Sequence, residues 1–452
     1  MSDKAPDTVT DIRGYLEKPT ARGLANAVSR GIRDGTLPPG MKLPPVRVLA
    51  AGLGLAPATV AAAWALLARS GAIRTDGRRG TTVVDTQRLE SSRYRRALAH
   101  TTDFRQDLST GVPDPALLPD LTRALQYLTT AATPGSYLDQ PVLPELVDVL
   151  REDWPYEAED ITIFDGAMDA LELTARTLVR FGDRVIVEHP CFPPLLDLLE
   201  AIGAEIVGVP LDGHGMRIDL LTEALASPVA AVFIQPLGQN PTGISLDLKR
   251  ARQLATVLDR HDAPVVEDDS AGAVSSAQPI SLGRWIPSKT LHIRSFSKSH
   301  GPDLRLAAMS GPSSLIDQLR HRRQLGQGWS SRLLQRILLN LLTDPQAIKQ
   351  VAYARGEYRR RRAALTEALA RHDVLVGGND GINLWIPVHD EAAATVRLAS
   401  QGIGVTPGSP FNVLPDPIQH LRLTCGLVSG GHQDLAAILA SAADAGSWRM
   451  TQ

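Results

Sequence analysis

The stretch Ser295-Phe296-Ser297-Lys298-Ser299-His300-Gly301-Pro302-Asp303-Leu304-Arg305 presents one lysine on a turn of small residues, with an arginine seven positions later. It directly follows the strand-like run Thr290-Leu291-His292-Ile293-Arg294. This arrangement suits a lysine that holds an aldehyde cofactor and an arginine that grips the cofactor's phosphate. Schiff-base chemistry of that kind needs a lysine amine kept partly neutral. A solvated loop lysine has the same local composition, so the reading depends on what else the chain places nearby.

Four further pieces fall at the ends of predicted strands, where open α/β sheets keep their ligands. Gln239-Asn240-Pro241-Thr242-Gly243 follows the run Ala230–Ile234, and an amide held by a Pro-Thr-Gly turn can donate to an aromatic hydroxyl oxygen. The same composition equally suits a plain turn. Asp268, after Pro264-Val265-Val266-Glu267, can pair with a protonated pyridine nitrogen, although Glu267 and Asp269 show that acids are common here. Gly166 and Ala167 lie between a strand and a helix, so their backbone amides can receive a phosphate. Phe192, in His189-Pro190-Cys191-Phe192-Pro193, can stack on a flat ring or sit in the core. In the C-terminal part, Arg422 has leucines on both sides and suits bidentate capture of a carboxylate.

The elements that must position these groups are legible as periodicity. Strand-like runs at Ile161–Phe164, Val185–Val187, Ala230–Ile234, Val265–Glu267 and Leu291–Arg294 alternate with helical patterns over Met168–Arg180, Pro193–Ile202 and Lys249–His261. That alternation predicts an α/β body with a mainly parallel sheet covered on both faces. Long helices over Ser331–Leu342 and Tyr353–Arg371, mixed with short strands, predict a smaller α+β domain after them.

The N-terminal part reads differently. Leu24, Val28 and Ile32 predict a first helix, Pro45 to Gly52 a second with Val48, Leu49 and Leu53 inward, and Pro57 opens a third with Val60, Trp64 and Leu67 on one stripe. Strands at 72–74 and 81–84 then flank a basic tip, Asp76-Gly77-Arg78-Arg79-Gly80. The expected organisation is a disordered tail over 1–19, this module over 20–85, an arginine-rich polar linker over 86–106, and the α/β body over 107–452.

The 452 residues carry a net charge of −2, against a uniformly basic nucleic-acid coat or a polybasic membrane surface. The charge is uneven: residues 11–85 hold eleven Lys/Arg against five Asp/Glu, the asymmetry that a nucleic-acid-binding module on an acidic body produces. Cys191 and Cys425 are the only cysteines and lack metal-ligand spacing, which predicts a reducing compartment. No run approaches the roughly eighteen apolar residues of a membrane span, and the N-terminus is unlike a secretory signal. A cytoplasmic protein without metal or membrane contact is expected.

Residues 107–445 resemble the fold-type I pyridoxal-phosphate aminotransferases, through Asn240-Pro241-Thr242-Gly243, the Asp268 strand end, Ser295-x-Ser297-Lys298 with Arg305, and Arg422. The resemblance implies pyridoxal 5'-phosphate as cofactor, in an internal aldimine with Lys298. It also implies Asp268 facing the ring nitrogen, Asn240 on the phenolic oxygen, and Phe192 stacked on the ring. Ser295, Arg305 and the Gly166 and Ala167 amides would hold the phosphate. Tyr137, in Ser136-Tyr137-Leu138-Asp139, resembles the tyrosine that reaches a partner subunit's phosphate, implying a homodimer. Residues 20–85 resemble the winged helix-turn-helix of GntR-type regulators, through Leu37-Pro38-Pro39-Gly40-x-x-Leu43-Pro44-Pro45-x-Arg47, Thr59-Val60 and the wing Gly77–Thr81. The union is similar to the MocR subfamily, with double-stranded DNA contacted by Arg47, Thr59, Arg78 and Arg79.

Two departures stand out. Ser270 occupies the place two residues after the aspartate where the family usually has a tyrosine, which lowers the prospect of turnover while leaving cofactor binding intact. Ala56-Pro57 replaces the usual Ser-Arg at the start of the recognition helix, removing a cap and a DNA-contacting arginine. The expectation is a transcription regulator that senses pyridoxal phosphate, or an amine or amino acid, by aldimine exchange at Lys298. An active aminotransferase with a secondary DNA-binding module is the alternative. A DNA-binding protein whose body has lost the cofactor is weaker, because Lys298, Asp268, Asn240 and Arg305 are all present.

Overall fold

In the computed structural model, the described residues are 8–69, 72–76, 80–84, 93, 104–128, 140–415 and 419–445. The chain forms two compact units: residues 1–93 with 179–184 and 196–206, and residues 94–178 with 185–195 and 207–452.

Four helices build the N-terminal module: α1 (Thr8–Tyr15), α2 (Ala21–Arg33), α3 (Val46–Leu53) and α4 (Pro57–Arg69). Thr20 caps α2, its hydroxyl accepting from the Gly23 amide at 3.0 Å. Gly54 ends α3 at φ +69°, a left-handed cap that glycine adopts without a Cβ penalty. Leu24 and Val28 of α2, Leu49 of α3, and Val60, Trp64 and Leu67 of α4 form one core. That core also takes Ile73 and Val83 from a three-stranded sheet of order β1-β3-β2 (Lys42–Leu43, Gly80–Val83, Ile73–Asp76).

Three expectations need correcting here. The tail over 1–19 is not wholly disordered: α1 buries Ile12 completely in the module's core. About two turns with a single deep apolar residue leave no periodicity to read. Val48 is 54% exposed, because the inward face of α3 runs through Leu49 and Ala50 instead. The two-residue strand β1, too short to show alternation, completes the sheet by pairing Lys42 with Thr82 and Leu43 with Thr81.

The body is organised by an eight-stranded sheet of order β5-β12-β11-β10-β9-β6-β7-β8. Its strands are β5 (Asp160–Phe164), β6 (Arg184–His189), β7 (Glu205–Asp212), β8 (Gly215–Met216), β9 (Ala231–Ile234), β10 (Val265–Asp269), β11 (Thr290–Ser295) and β12 (Ala307–Gly311). The four central strands β6, β9, β10 and β11 are parallel, so their carboxyl ends emerge along one edge. Each is covered on both sides, which is why Val265-Val266 and Ala231-Val232-Phe233-Ile234 read as continuous apolar runs. β12 enters antiparallel between β11 and β5. Its sequence Ala-Ala-Met-Ser-Gly has almost no strand propensity, and it is held by its two neighbours.

The helix Pro345–Ala370 starts eight residues before the expected Tyr353, capped by the Asp344 side chain on the Ala347 amide. A second sheet, β13-β16-β15 (Leu384–Pro387, His420–Leu423, Thr406–Pro407), shares a core with this helix through Leu365, Leu369, Leu384 and Leu421. β4 (Gln106–Asp107) pairs in parallel with β14 (Ile403–Gly404), so the residue assigned to the linker's end already belongs to the body's hydrogen-bonding. Most of the expected linker lies outside the described residues. Among the described residues no single helix is long and apolar enough to cross a membrane.

Replacing Ile12 tests the correction. Ile12→Ala is expected to destabilise the N-terminal module by about 2–5 kcal/mol, measured by denaturant unfolding followed by circular dichroism; a solvated tail would give no change.

Candidate functional site

The site is built where β6, β9, β10 and β11 end. Lys298 lies in the one-turn helix Ser297–His300 immediately after β11, and its Nζ donates to Ser270 Oγ at 3.1 Å. Burial pushes the Lys298 ammonium below its ordinary value, with the Asp268 carboxylate opposing that shift and Arg422 adding to it. An amine so placed is readier to act as a nucleophile than a surface lysine.

Asp268, on β10, is 5% exposed, and burial raises its carboxyl above the usual range. Its Oδ2 accepts from Gln235 Nε2 at 2.6 Å, while Oδ1 is buried with no hydrogen-bond partner. A buried carboxylate oxygen without a donor costs stability unless something else supplies one. A protonated pyridine nitrogen is such a donor.

Asn240 is buried in the turn after β9, and its Oδ1 also lacks a partner. The turn is tied from both sides. Gln239 Oε1 accepts from the Thr242 hydroxyl at 2.6 Å and its amide at 3.1 Å, while Gln239 Nε2 donates to Pro190 O at 2.8 Å. The Asn379 and Asp380 amides both donate to Gly243 O at 3.0 Å. The Asp380 carboxylate accepts from Ser245 Oγ at 2.7 Å, from the Ser276 amide at 2.8 Å and from the Ser275 hydroxyl.

At the other end of the edge, Gly166 (φ +100°) precedes the helix Ala167–Leu178. A Cβ added at Gly166 would stand 3.1 Å from Arg305 Nη2, so the glycine and the guanidinium enclose a space only a residue without a side chain leaves open. Arg305 itself takes the left-handed conformation (φ +49°) and donates to Asp165 O at 3.3 Å. Ser295 ends β11 beside this turn, with its Oγ accepting from the Ser297 amide at 3.3 Å. Helix amides, an arginine and a hydroxyl of this kind make an anion cup.

Phe192 is half-buried and lines a small cleft with Glu188, Gln235 and Asp268. Arg422 is completely buried on β16, its Nη2 donating to Ser109 O and to Thr406 Oγ1 at 3.1 Å. Its guanidinium lies over the Phe411 ring at 5.4 Å, and its charge reaches Lys298. The residues present therefore fit pyridoxal phosphate: a depressed lysine, an orphaned carboxylate oxygen, a flat side chain and a cup for a phosphate. Tyr137 lies outside the described residues.

Two residues escaped the sequence reading. Gln235 touches Asp268, Ser270 and the Asn240 amide, and its own amide donates to Glu188 Oε2 at 3.1 Å. Glu188 is buried and pushed up to about 8, burial being the main cause. The available signal was a polar residue standing directly after four apolar strand residues, at a carboxyl edge.

In the N-terminal module Arg47 is exposed on α3 and Thr59 is half-buried in the first turn of α4. Arg78 and Arg79 lie outside the described residues.

Gly166→Ala should lower pyridoxal phosphate affinity about tenfold or more (~1.4 kcal/mol), because the new methyl meets Arg305 and the positive φ strains any other residue. Absorbance titration of the cofactor-free chain measures this; unchanged affinity would remove Gly166 from the cup.

Residues 106–438 match the aminotransferase class I and II family, and residues 20–83 match the gntR family of bacterial regulatory proteins. The chain is 36% identical to the vitamin B6 salvage pathway transcriptional repressor PtsJ of Salmonella typhimurium, over 90% of this chain and 95% of that one. It is 27% identical to the HTH-type transcriptional regulator TauR of Rhodobacter capsulatus, over 86% and 88%. The structure of the Pyrococcus horikoshii kynurenine aminotransferase superposes with a TM-score of 0.70 at 23% identity, over 79% of this chain and 96% of that one, which shows the fold. The two family matches together span nearly the whole chain, as do the regulators it resembles, and the chain belongs to the GntR-type transcription regulators that carry a class I and II aminotransferase domain, the MocR subfamily.

Proposed function

We propose that this protein is a cytoplasmic, homodimeric transcription regulator whose body senses pyridoxal phosphate, or an amine or amino acid that reacts with it, and passes that state to its winged helices. The observation that carries the reading is the pairing of a buried, depressed Lys298 with an Asp268 oxygen left without a donor, in a chain that also carries a GntR module. When bound, pyridoxal phosphate supplies an aldehyde carbon that condenses with primary amines.

Lys298 provides one such amine, and Ser270 orients it by accepting its hydrogen. Asp268 Oδ1 holds a proton at the ring nitrogen, and Asn240 bonds the ring oxygen. Phe192 stacks on the ring, while Ser295, Arg305 and the Gly166 and Ala167 amides hold the phosphate. Arg422 receives a carboxylate of the effector, and Tyr137 reaches across to a second copy. Serine in place of tyrosine at 270 favours sensing over turnover, since its short hydroxyl is already engaged with Lys298.

On DNA, α4 lies in a major groove with Thr59 near its entry, while Arg47, Arg78 and Arg79 contact phosphates. An effector that engages both the Lys298 edge and Arg422 shifts the balance between two arrangements of the body, which is the switch.

Two measurements test this. The purified protein should be yellow with bound pyridoxal phosphate, and Lys298→Ala should lose that band; a colourless wild type saturated with cofactor removes the sensor reading. Gel retardation and footprinting on the DNA upstream of its own gene, with and without pyridoxal phosphate, should show binding that weakens as salt rises and that changes with cofactor. Absence of retardation at low salt removes the regulator reading, and sustained multiple-turnover transamination would return the enzyme alternative.

A further inference from the structure

One side chain joins the three parts of the cofactor site. Gln235 follows β9 directly and is 7% exposed. Its amide nitrogen donates to Asp268 Oδ2 at 2.6 Å and to Ser270 Oγ at 3.4 Å, and its amide oxygen accepts from the Asn240 backbone amide at 2.8 Å. Its backbone amide is in turn held by Glu188 Oε2 at 3.1 Å. A primary amide has two hydrogens and one oxygen to offer, and here every one has a partner.

We propose that Gln235 is a positioning residue that sets the charge state of the cofactor ring by fixing Asp268 and Ser270 as one unit. The inference rests on the pyridoxal phosphate reading of the site.

The argument follows from where each hydrogen goes. Donation to Asp268 Oδ2 favours the ionised carboxylate against the burial that disfavours it, and leaves Oδ1 as the one open acceptor. An ionised Asp268 is what keeps a proton on a pyridine nitrogen placed against it. Ser270 Oγ accepts from both Gln235 Nε2 and Lys298 Nζ, which fills its two lone pairs. Its own hydrogen is then left as a donor for a third partner. The charged and titratable groups coupled to this cluster are Asp269, Glu188, His292, Arg422 and Lys298, and of these Glu188 is the one hydrogen-bonded to Gln235, through the Gln235 backbone amide. A neutral amide is therefore the group that links the acid to the hydroxyl.

The test uses the full-length holo-protein and follows the visible band of bound pyridoxal phosphate against pH. Gln235→Met removes donor and acceptor without adding charge and keeps a similar length. Gln235→Glu keeps an acceptor for the Asn240 amide and serves if the methionine variant does not fold, as judged by circular dichroism. The expected result is a rise of about one pH unit in the midpoint of the band, which reports the proton on the Lys298 imine nitrogen, equivalent to ~1.4 kcal/mol, because a less ionised Asp268 leaves the ring nitrogen without its positive charge and that charge no longer repels the imine proton. Support for the turn alone would lower cofactor affinity or melting temperature without moving that midpoint. A yellow wild type with an unmoved midpoint in the folded variant overturns this inference and leaves the cofactor reading standing. A colourless wild type overturns both.

Discussion

The arrangement depends on burying a lysine amine and a carboxylate at the same sheet edge. Each is costly alone: removing a charge from water disfavours its ionised form, which lowers Lys298 and raises Asp268. Their mutual attraction opposes both shifts, but only Asp268 Oδ2 and Lys298 Nζ have neutral hydrogen-bond partners, Gln235 and Ser270. The second carboxylate oxygen is left open. Much of the surrounding structure holds that imbalance in place. Parallel strands bring the two groups to one edge, the Asn379–Asp380 segment ties the Asn240 turn, and the glycine before the helix Ala167–Leu178 keeps the anion cup free of side chains.

How much of this was legible in the chain follows from the range of each interaction. Lys298, Asp268, Asn240 and Arg305 were readable because each sits at a fixed offset from a turn or strand end, a local property. Pro193–Ile202 was predicted to the residue, since its proline start and apolar period are local too. α1 was missed because its stability comes from Ile12 packing on residues far away in sequence, and β12 because two neighbours impose its extended form. Gln235 was missed for a related reason. Its three partners lie five, thirty-three and thirty-five positions onward, and no spacing rule announces a side chain whose role is to join them. Arg422 was anticipated as a grip for a carboxylate between two leucines; its complete burial, with the protein's own oxygens already bonded to it, follows from sheet pairing with β13 and β15.

The family places a transaminase scaffold in the service of transcription, and the departures from that scaffold are unevenly distributed. The groups that fit a flat phosphorylated ring remain, whereas the residue at 270 and the start of α4 differ from the usual pattern. A chain under demand to turn over substrate must tune the imine proton closely; a chain that reports occupancy needs only that bound and free states differ in energy. Serine at 270, supported by an amide, meets the second demand with fewer atoms.

The parallel pairing of Gln106–Asp107 with Ile403–Gly404 has a mechanical consequence. The covalent path from the N-terminal module joins the body at a strand whose hydrogen bonds run to the last quarter of the chain, the same quarter that carries Arg422 on its neighbouring sheet. The tether is thus rooted in the segment that would respond to a carboxylate. A displacement of Ile403–Gly404 would reach Gln106 and Asp107 through backbone hydrogen bonds alone, with no relay of side chains in between.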